Sequence, residues 1–203
     1  MVEATKFAYG QRATLGDPAY TANVSSLEQA YITEEVASQA RARISDKQTF
    51  DSSYYQPAGY LPSQEFGTSY LATVDGNGMA ISLTTTVNLY WGSRVSMSIP
   101  NTAWRSTDGS VTQDGIILNN EMDDFGSPGQ VNAFGFSSSP TNFIAPGKRP
   151  LSSISSSIVE DKETGDFVMA TGSAGGSQII TATIQQLYHF IDQGFNASGS
   201  TRA

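Results

Sequence analysis

The sequence predicts an α+β fold in which helices cover a mainly antiparallel sheet. Three observations support this prediction: a helical pattern in the first third, short runs rich in β-branched residues from residue 69 onward, and a long amphipathic helix near the end. The 203 residues are enough for one domain with a substantial core.

The first predicted element is a helix over residues 33–44, "TEEVASQARARI". Thr33 is suited to the N-cap, and two glutamates follow in the first turn, where the helix dipole favours negative charge. Val36, Ala40 and Ile44 then repeat at helical spacing.

Three irregular stretches separate the periodic segments. Residues 46–67 combine prolines, glycine, serines and aromatic residues without a period, which predicts an extended, exposed connector. Residues 96–114 and 126–150 are similarly rich in turn-forming residues and are predicted to be loops.

Five runs read as strands. "SYLATVD" and "GMAISLTTTV" flank a "GN" turn and predict a hairpin. A third strand is expected at residues 115–120, "GIILNN". "SSIVEDKETGDFVMATGS" predicts a second hairpin whose polar turn runs from about Lys162 to Asp166.

The last predicted element is a helix that follows "AGGSQ" and extends to about Gln193. Its apolar residues recur at the spacing of one buried helix face, and His189 falls just off that stripe. The stripe comprises Ile180, Ile184, Leu187, Tyr188 and Ile191.

Composition excludes several classes of function. The net charge of −8 argues against a nucleic-acid partner, which would need a basic surface to meet phosphates. The absence of cysteine excludes disulfides, thiolate metal sites and cysteine nucleophiles, and a single histidine excludes a histidine metal cluster. No apolar run is long enough to span a bilayer, and the first residues do not resemble a signal peptide.

A nucleophile must therefore come from serine, threonine, lysine or a carboxylate. A threonine whose own α-amine serves as the base is one solution, since that amine has an unperturbed pKa of about 7.7–8.0. An internal threonine becomes the first residue only if the chain is cut before it. Gly67-Thr68, between the loose connector and the first strand, suits such a cut, although a threonine at a strand start more often reflects only β-propensity.

A glycine-rich turn in "TGSAGGSQ" is a second candidate. Gly172, Gly175 and Gly176 follow a strand, and Ser177 can cap the next helix. Backbone N–H groups at such a turn can form an anion cradle, which in acyl transfer is an oxyanion hole. The alternative is a tight strand-to-helix turn that simply requires glycine.

Two polar clusters complete the candidates. "NNEMDDF", residues 119–125, ends a buried-looking strand in three carboxylates, which can bind an ammonium group or a metal or form only a polar strand end. Ser152 and Ser153 follow a basic turn, and adjacent hydroxyls can hold a carboxylate or cap local backbone.

Five motifs, in order, make the sequence closely resemble the γ-glutamyltransferase (glutathione hydrolase) family, in its eukaryotic, fungal-like form. They are "TSYLATVDGNG", "TTTVNLYWGS", "GIILNNEMDDF", "PGKRPLSS" and "TGSAGGSQIITAT". The resemblance implies an N-terminal-nucleophile hydrolase with an αββα sandwich, of which this chain is a part. Residues 1–67, including "KFAYGQRATLGDP" and "ARISD", look like the end of the large subunit, and 68–203 like the start of the small catalytic subunit, together forming one partial domain.

The resemblance also implies catalytic roles. Autocleavage at Gly67-Thr68 would make Thr68 the N-terminal nucleophile of the small subunit. Thr86 matches the threonine that hydrogen-bonds the nucleophile, and Gly175 and Gly176 match the oxyanion hole.

Further positions match the residues that hold the zwitterionic head of the substrate. The α-amino end is expected at Asn88, Glu121 and Asp124. The α-carboxylate is expected at Ser152 and Ser153.

Substrates and partners follow from the same resemblance. Glutathione and other γ-glutamyl compounds would be donors, and water, amino acids or dipeptides would be acceptors. No metal or cofactor is required. The partner would be the remainder of the large subunit, with its carboxylate-clamping arginine, and the location would be the secretory pathway, at the plasma membrane, outside the cell or in the vacuole.

Three features depart from or refine the family pattern. Tyr70 stands where the family usually has a histidine two places after the nucleophile. The stretch 96–114 is longer than expected. Tyr90, in "NLYWGS", is similar to the eukaryotic version of this segment and joins the expected substrate-binding residues.

Two alternatives stay open at the level of sequence. An uncleaved or truncated homologue would bind γ-glutamyl compounds without turning them over. An N-terminal-nucleophile amidase would act on another amide, such as a cephalosporin side chain, although the polar residues of both clusters favour an amino-acid head.

Overall fold

The computed structural model of the chain describes residues 1–55, 68–98, 113–130 and 138–201. The chain forms two compact units. The helical unit consists of Met1–Ser63 and Met122–Ser152, and the strand unit consists of Gln64–Glu121 and Ser153–Ala203. The helical unit therefore contains chain from both sides of Gly67-Thr68.

Three helices open the helical unit: α1 (Val2–Arg12), α2 (Val24–Tyr31) and α3 (Glu34–Arg43). The prediction of α3 is confirmed, because the Thr33 hydroxyl at its N-cap accepts a hydrogen bond from the Val36 N–H at 3.4 Å. The sequence patterns did not specify α1 and α2.

Aromatic rings fill the core between α1 and the segment after α3. The Phe7 ring is buried and meets Tyr54 and Tyr55 edge-on, with centroids 5.9 and 5.0 Å away. The Arg43 guanidinium lies 4.7 Å from the Phe7 ring and from the Tyr54 ring, a cation–π arrangement. Ser52–Tyr55 form a 3₁₀ turn, so the prediction of an extended, exposed connector is wrong for these residues, and 56–67 lie outside the described residues.

A tyrosine hydroxyl from that turn also meets α1. Glu3 accepts hydrogen bonds from Lys6 at 2.7 Å and from Tyr55, and these two contacts lower its pKa to about 2. The carboxylate thus ties the first turn of α1 to the 3₁₀ turn.

The strand unit begins with the predicted hairpin, β1 (Thr68–Val74) and β2 (Ala80–Thr86). The strands are antiparallel, and Thr68 lies directly opposite Thr86. The Asp75 carboxylate closes the turn by accepting hydrogen bonds from the N–H groups of Asn77 and Met79 at 2.8 and 2.9 Å. This prediction is confirmed.

The second predicted hairpin is also present, as β5 (Ser157–Glu160) and β6 (Phe167–Thr171). Its turn depends on Asp161, whose carboxylate accepts hydrogen bonds from the N–H groups of Thr164 and Glu163. These bonds lower the Asp161 pKa, as expected for a carboxylate that its own turn stabilises.

A third, shorter pair joins β3 (Ser96–Ser98) to β4 (Gln113–Ile117). The predicted strand at 115–120 therefore begins two residues earlier and ends three earlier. The loop prediction for 96–114 is wrong at β3, because pairing with β4 makes this segment a strand; residues 99–112 lie outside the described residues. The end of the strand is not buried, since Ile116 and Leu118 are exposed.

Helix α4 (Gln178–Leu187) follows β6, and a π-helical turn over Tyr188–Asp192 extends it as far as predicted. The predicted buried face is wrong. Ile179 and Thr183 are the buried side chains, whereas Ile184, Tyr188 and Ile191 are exposed. Thr183, on the buried face of α4, makes hydroxyl contacts with Ser155 and Ser173.

The described residues mix helices with three two-stranded antiparallel sheets, which confirms a partial α+β fold. A short helix, α5 (Ala197–Ser200), ends the described chain, and its N-cap Asn196 accepts a hydrogen bond from Gly199 N–H at 2.7 Å. Within the described ranges, no helix is long and apolar enough to cross a membrane.

Candidate functional site

The Thr68 side chain faces Thr86 across the first hairpin. Because the two residues are opposite each other in the ladder, their side chains lie on the same face of the sheet. The Thr68 hydroxyl donates a hydrogen bond to Thr86 Oγ1 at 3.1 Å. Thr86 Oγ1 also accepts the backbone N–H of Asn88 at 2.8 Å, which fixes the threonine rotamer.

Asn88 lies just beyond β2 in a left-handed conformation, with φ of 73°. Asparagine tolerates this conformation better than most residues do. Its side chain is buried, and its Nδ2 donates to the Asn120 carbonyl at 3.2 Å. Asn120 Oδ1 in turn accepts the Leu89 N–H at 3.0 Å, so Asn120 contacts both the Asn88 side chain and the backbone after β2.

Two buried oxygen acceptors are left without partners at this end of β2. Asn88 Oδ1 and Glu121 Oε1 have no hydrogen-bond donor among the described residues. They share a neighbourhood, because Asn120 binds Asn88 and immediately precedes Glu121. Leaving a buried acceptor unpaired costs about 1–3 kcal/mol, and more for a carboxylate. An N–H donor of a ligand, such as an ammonium group, is the kind of partner that each of these acceptors can bind.

The loop after Asn88 is backbone-strained and carries exposed aromatics. Trp91 and Arg94 also have positive φ, at 63° and 60°. Gly92 has no room for a side chain, since a Cβ there would lie 2.3 Å from the Leu118 carbonyl oxygen. Tyr90 and Trp91 are 69% and 70% exposed, so the expected substrate-binding Tyr90 is on an accessible loop.

The glycine-rich turn between β6 and α4 has the conformation that requires glycine. Gly175 and Gly176 have φ of 126° and 58°. Their carbonyls accept the first N–H groups of α4, at 3.1 and 3.0 Å. No acceptor among the described residues meets the N–H groups of these two glycines. Ser177 occupies the N-cap position, but its side chain makes no capping hydrogen bond, so that prediction is wrong.

Tyr70 joins the strand that begins at Thr68 to the strand that leads into the glycine turn. A Cβ at Gly172 would lie 2.4 Å from Tyr70 Cε2, so the ring packs directly on that glycine. The Tyr70 hydroxyl is 3.0 Å from Ser82 Oγ, which donates to the Thr171 carbonyl at 3.2 Å. The tyrosine thus spans β1, β2 and β6.

Further hydroxyl contacts align α4 and the segment before β5. The Thr84 and Ser156 hydroxyl oxygens are 2.7 Å apart. Ser155 Oγ donates to Thr183 Oγ1 at 3.2 Å, and Thr183 Oγ1 donates to Ser173 Oγ at 3.4 Å. Thr183 is buried, whereas Ile184 and Tyr188 of the apolar stripe are exposed. Ser153 lies half-buried at the start of this segment.

Asp124 and Ser152 belong to the helical unit. Asp124 ends the 3₁₀ turn Glu121–Asp124 and is buried, and its carbonyl accepts from Asn142 Nδ2 at 2.7 Å. Ser152 is exposed, and its carbonyl accepts a hydrogen bond from Arg12 Nη2 at 2.6 Å.

An ion pair fixes the basic turn that precedes Ser152. The buried Asp17 carboxylate accepts hydrogen bonds from the Arg149 backbone N–H at 2.8 Å and from its Nε and Nη2 at 3.1 Å. These bonds hold the pKa of Asp17 well below its usual range and raise that of Arg149.

The predicted site residues divide as follows. Gly67 lies outside the described residues. The helical unit holds Asp124 and Ser152, and the strand unit holds Thr68, Thr86, Asn88, Tyr90, Glu121, Ser153, Gly175 and Gly176.

Sequence reasoning missed Asn120, Asn142 and Asp17. Their signals were weak: Asn120 adjoins Glu121 within "NNEMDDF", Asn142 lies in a stretch predicted to be a loop, and Asp17 lies within "KFAYGQRATLGDP". The His189 ring makes a tilted contact with the Phe195 ring, with centroids 5.5 Å apart. The described residues contain no group of three histidines or carboxylates that could hold a metal ion.

Comparisons with known proteins place these motifs in context. The family model for gamma-glutamyltranspeptidase matches residues 1–203. A glutathione hydrolase proenzyme from Arthroderma benhamiae is 45% identical over 203 residues, 100% of this chain and 32% of that protein. Glutathione hydrolase proenzyme 1 from Schizosaccharomyces pombe is 40% identical over 92% of this chain and 27% of its own length. The chain thus spans about a third of the length of the curated relatives it matches.

Solved structures show the same likeness. The T380A mutant of Helicobacter pylori gamma-glutamyltranspeptidase shares 37% identity with a TM-score of 0.51, covering 65% of this chain and 63% of that one. An acivicin-inhibited gamma-glutamyltranspeptidase, whose C-terminus has critical roles in autoprocessing and catalysis, shares 37% identity with a TM-score of 0.52 over 65% of this chain and 62% of its own. The fold is therefore that of an N-terminal-nucleophile hydrolase, in part.

Proposed function

The chain belongs to the gamma-glutamyltranspeptidase family, and from this premise we propose that the full-length protein cleaves γ-glutamyl amide bonds. Glutathione and γ-glutamyl conjugates are the donors. The observation that carries the proposal is the pair of unpartnered buried acceptors, Asn88 Oδ1 and Glu121 Oε1, close to a threonine whose hydroxyl is already engaged by Thr86.

The reaction begins with a cut between Gly67 and Thr68, which frees the Thr68 α-amine. That amine takes the proton of the Thr68 hydroxyl as Oγ1 attacks the γ-carbonyl carbon. The N–H groups of Gly175 and Gly176 donate to the oxyanion, an effect of about 3–4 kcal/mol per donor. Collapse breaks the amide C–N bond, and the leaving amine takes the proton, which leaves a γ-glutamyl ester on Thr68.

Release reverses these steps with a new nucleophile. Water, an amino acid or a dipeptide gives its proton to the Thr68 α-amine and attacks the ester carbonyl. The C–Oγ1 bond breaks, and Thr68 regains its hydroxyl proton. Water gives glutamate, whereas an amine acceptor gives a new γ-glutamyl amide.

Recognition of the donor uses both ends of its α-amino acid head. Asn88, Glu121 and Asp124 accept hydrogen bonds from the ammonium group, since each offers oxygen acceptors. Ser152 and Ser153 hold the α-carboxylate. Tyr90, on its exposed loop, lines the entrance.

The remainder of the large subunit is the expected partner. Leu71, Ile81 and Leu83 are each about half exposed on β1 and β2, which supports a neighbour that covers them. By its family, we expect the full-length protein to enter the secretory pathway and to act at the plasma membrane, outside the cell or in the vacuole.

The test is mass spectrometry of the purified full-length protein, together with release of aniline from a γ-glutamyl anilide. We expect a fragment that begins at Thr68. Thr68→Ala should abolish both cleavage and turnover, whereas Ser69→Ala, which alters the adjacent exposed residue, should preserve both.

Two results would contradict the proposal in different ways. Turnover by Thr68→Ala would require another nucleophile. An intact chain that binds glutathione in calorimetry without releasing the γ-glutamyl group would support the binding-only alternative.

A further inference from the structure

Asn142 is a buried polar residue of the helical unit. It ends the 3₁₀ helix Pro140–Asn142 of the helical unit and is 4% exposed. Both ends of its side-chain amide are used. Nδ2 donates to the Asp124 carbonyl at 2.7 Å, and Oδ1 accepts the Leu151 N–H at 2.9 Å.

The backbone of Asn142 also contacts the segment that follows Asp124. Its carbonyl accepts the Gly126 N–H at 3.0 Å, two residues after Asp124. Gly126 in turn has no space for a side chain, because a Cβ there would lie 2.5 Å from Ser138 Cβ. The segment from Asp124 to Gly126 is therefore held closely against the 3₁₀ helix.

The other end of the connection is equally constrained. Leu151 precedes Ser152, whose carbonyl is held by Arg12, and Arg149, two residues before Leu151, is held by Asp17. The backbone around Ser152 is thus fixed at three successive points. The contact from Asn142 also reaches Asp124, through its Nδ2.

We propose that Asn142 is a positioning residue that sets the spacing between Asp124 and Ser152, and so selects a ligand with an ammonium and a carboxylate group on one carbon. This inference rests on the proposed function, which assigns Asp124 to the ammonium and Ser152 to the carboxylate. Binding sites must hold such groups to within about 0.5 Å, because an error at one end weakens the contacts at the other. The affinity of a ligand with only one of the two groups does not depend on this spacing.

The test compares Asn142→Asp with wild type in the full-length protein. The aspartate keeps an oxygen for the Leu151 N–H but loses the donor to the Asp124 carbonyl. Asn77→Asp is the matched control, since Asn77 is exposed in the turn between β1 and β2. Calorimetry measures the binding of L-glutamate, of glutarate, which lacks the α-amine, and of 4-aminobutanoate, which lacks the α-carboxylate.

Loss of one hydrogen bond should weaken L-glutamate binding and raise KM for a γ-glutamyl anilide roughly tenfold. Binding of the two single-headed ligands, and kcat, should stay within about twofold of wild type, because neither depends on the spacing. If Asn142→Asp does not fold, as judged by thermal melting, Asn142→Ser is measured against the same outcomes.

The possible outcomes distinguish failure of the positioning role of Asn142 from failure of the proposed γ-glutamyl cleavage. If the wild type turns over the anilide and Asn142→Asp binds L-glutamate as tightly as the wild type does, the role of Asn142 is overturned and the proposed function stays intact. Equal weakening of all three ligands would also overturn it, since that indicates a general structural role. Asn142-dependent binding of L-glutamate without turnover would support the spacing role and reject the reaction, and a wild type that does not bind L-glutamate would reject both.

Discussion

Replacement of Thr86 by valine removes one oxygen while it conserves the shape of the side chain. Thr86 Oγ1 accepts the Thr68 hydroxyl at 3.1 Å and the Asn88 N–H at 2.8 Å. Loss of the first bond frees the Thr68 rotamer, and a hydrogen bond of about 1–1.5 kcal/mol corresponds to a rate about tenfold lower. Loss of the second leaves a buried N–H unpaired at a cost of about 1–3 kcal/mol in folding stability.

The assay follows appearance of the Thr68 N-terminus by mass spectrometry, kcat for a γ-glutamyl anilide, and urea unfolding. Thr86→Val should slow cleavage and turnover about tenfold, whereas Thr86→Ser, which keeps the oxygen, should stay within about threefold of wild type. Thr85→Val is the control, because Thr85 is exposed on the opposite face of β2. If Thr86→Val matches Thr85→Val in all three measurements, Thr86 does not orient the nucleophile.

Three further predictions concern the surroundings of the site. Gly175→Ala should lower kcat at least tenfold, with a smaller change in KM, because a φ of 126° costs residues other than glycine about 1–3 kcal/mol of strain. A kcat equal to that of the wild type would show that this turn does not form the oxyanion hole. Tyr70→Phe, which loses the contact with Ser82 Oγ but keeps the ring, should lower the free energy of unfolding in urea by about 1 kcal/mol. Tyr70→Ala, which also loses the ring, should lower it by clearly more. Equal losses for the two variants would mean that packing of the ring does not contribute to stability. The lowered pKa of Asp17 contributes stability that is fully present above its ordinary value of 3.8 and is lost as the pH falls toward the lower folded value. Arg149→Gln should therefore reduce the acid dependence of the urea midpoint below about pH 4, and an unchanged profile would show that the ion pair does not set it.

The local elements were predictable because their causes are local. The Thr33 cap, the Asp75 and Asp161 turns and the strands around them depend on residues a few positions apart. The helix after the glycine turn was also located, but its buried face was not. Periodicity selects the most apolar stripe, whereas the buried face of α4 carries Thr183 and its hydroxyl contact with Ser155.

The order of five motifs was enough to predict the family and the identities of the candidate site residues. It was also enough to single out Thr68, whose place opposite Thr86 follows once the hairpin register is known. The glycines of the turn before α4 could be predicted as well, since positive φ angles restrict the residue type.

Only the tertiary structure revealed the residues that hold the site in place. The Asn120 side chain bonds to the backbone of Leu89 and the Asn142 side chain to that of Asp124, and Tyr70 packs on Gly172 from another hairpin. Asp17 meets Arg149 across 132 positions of chain. Such contacts leave no period or spacing in the sequence, because they depend on where the folded chain returns. The sequence by itself therefore determined the family and predicted the reacting groups, and the tertiary structure decided which side chains contact them.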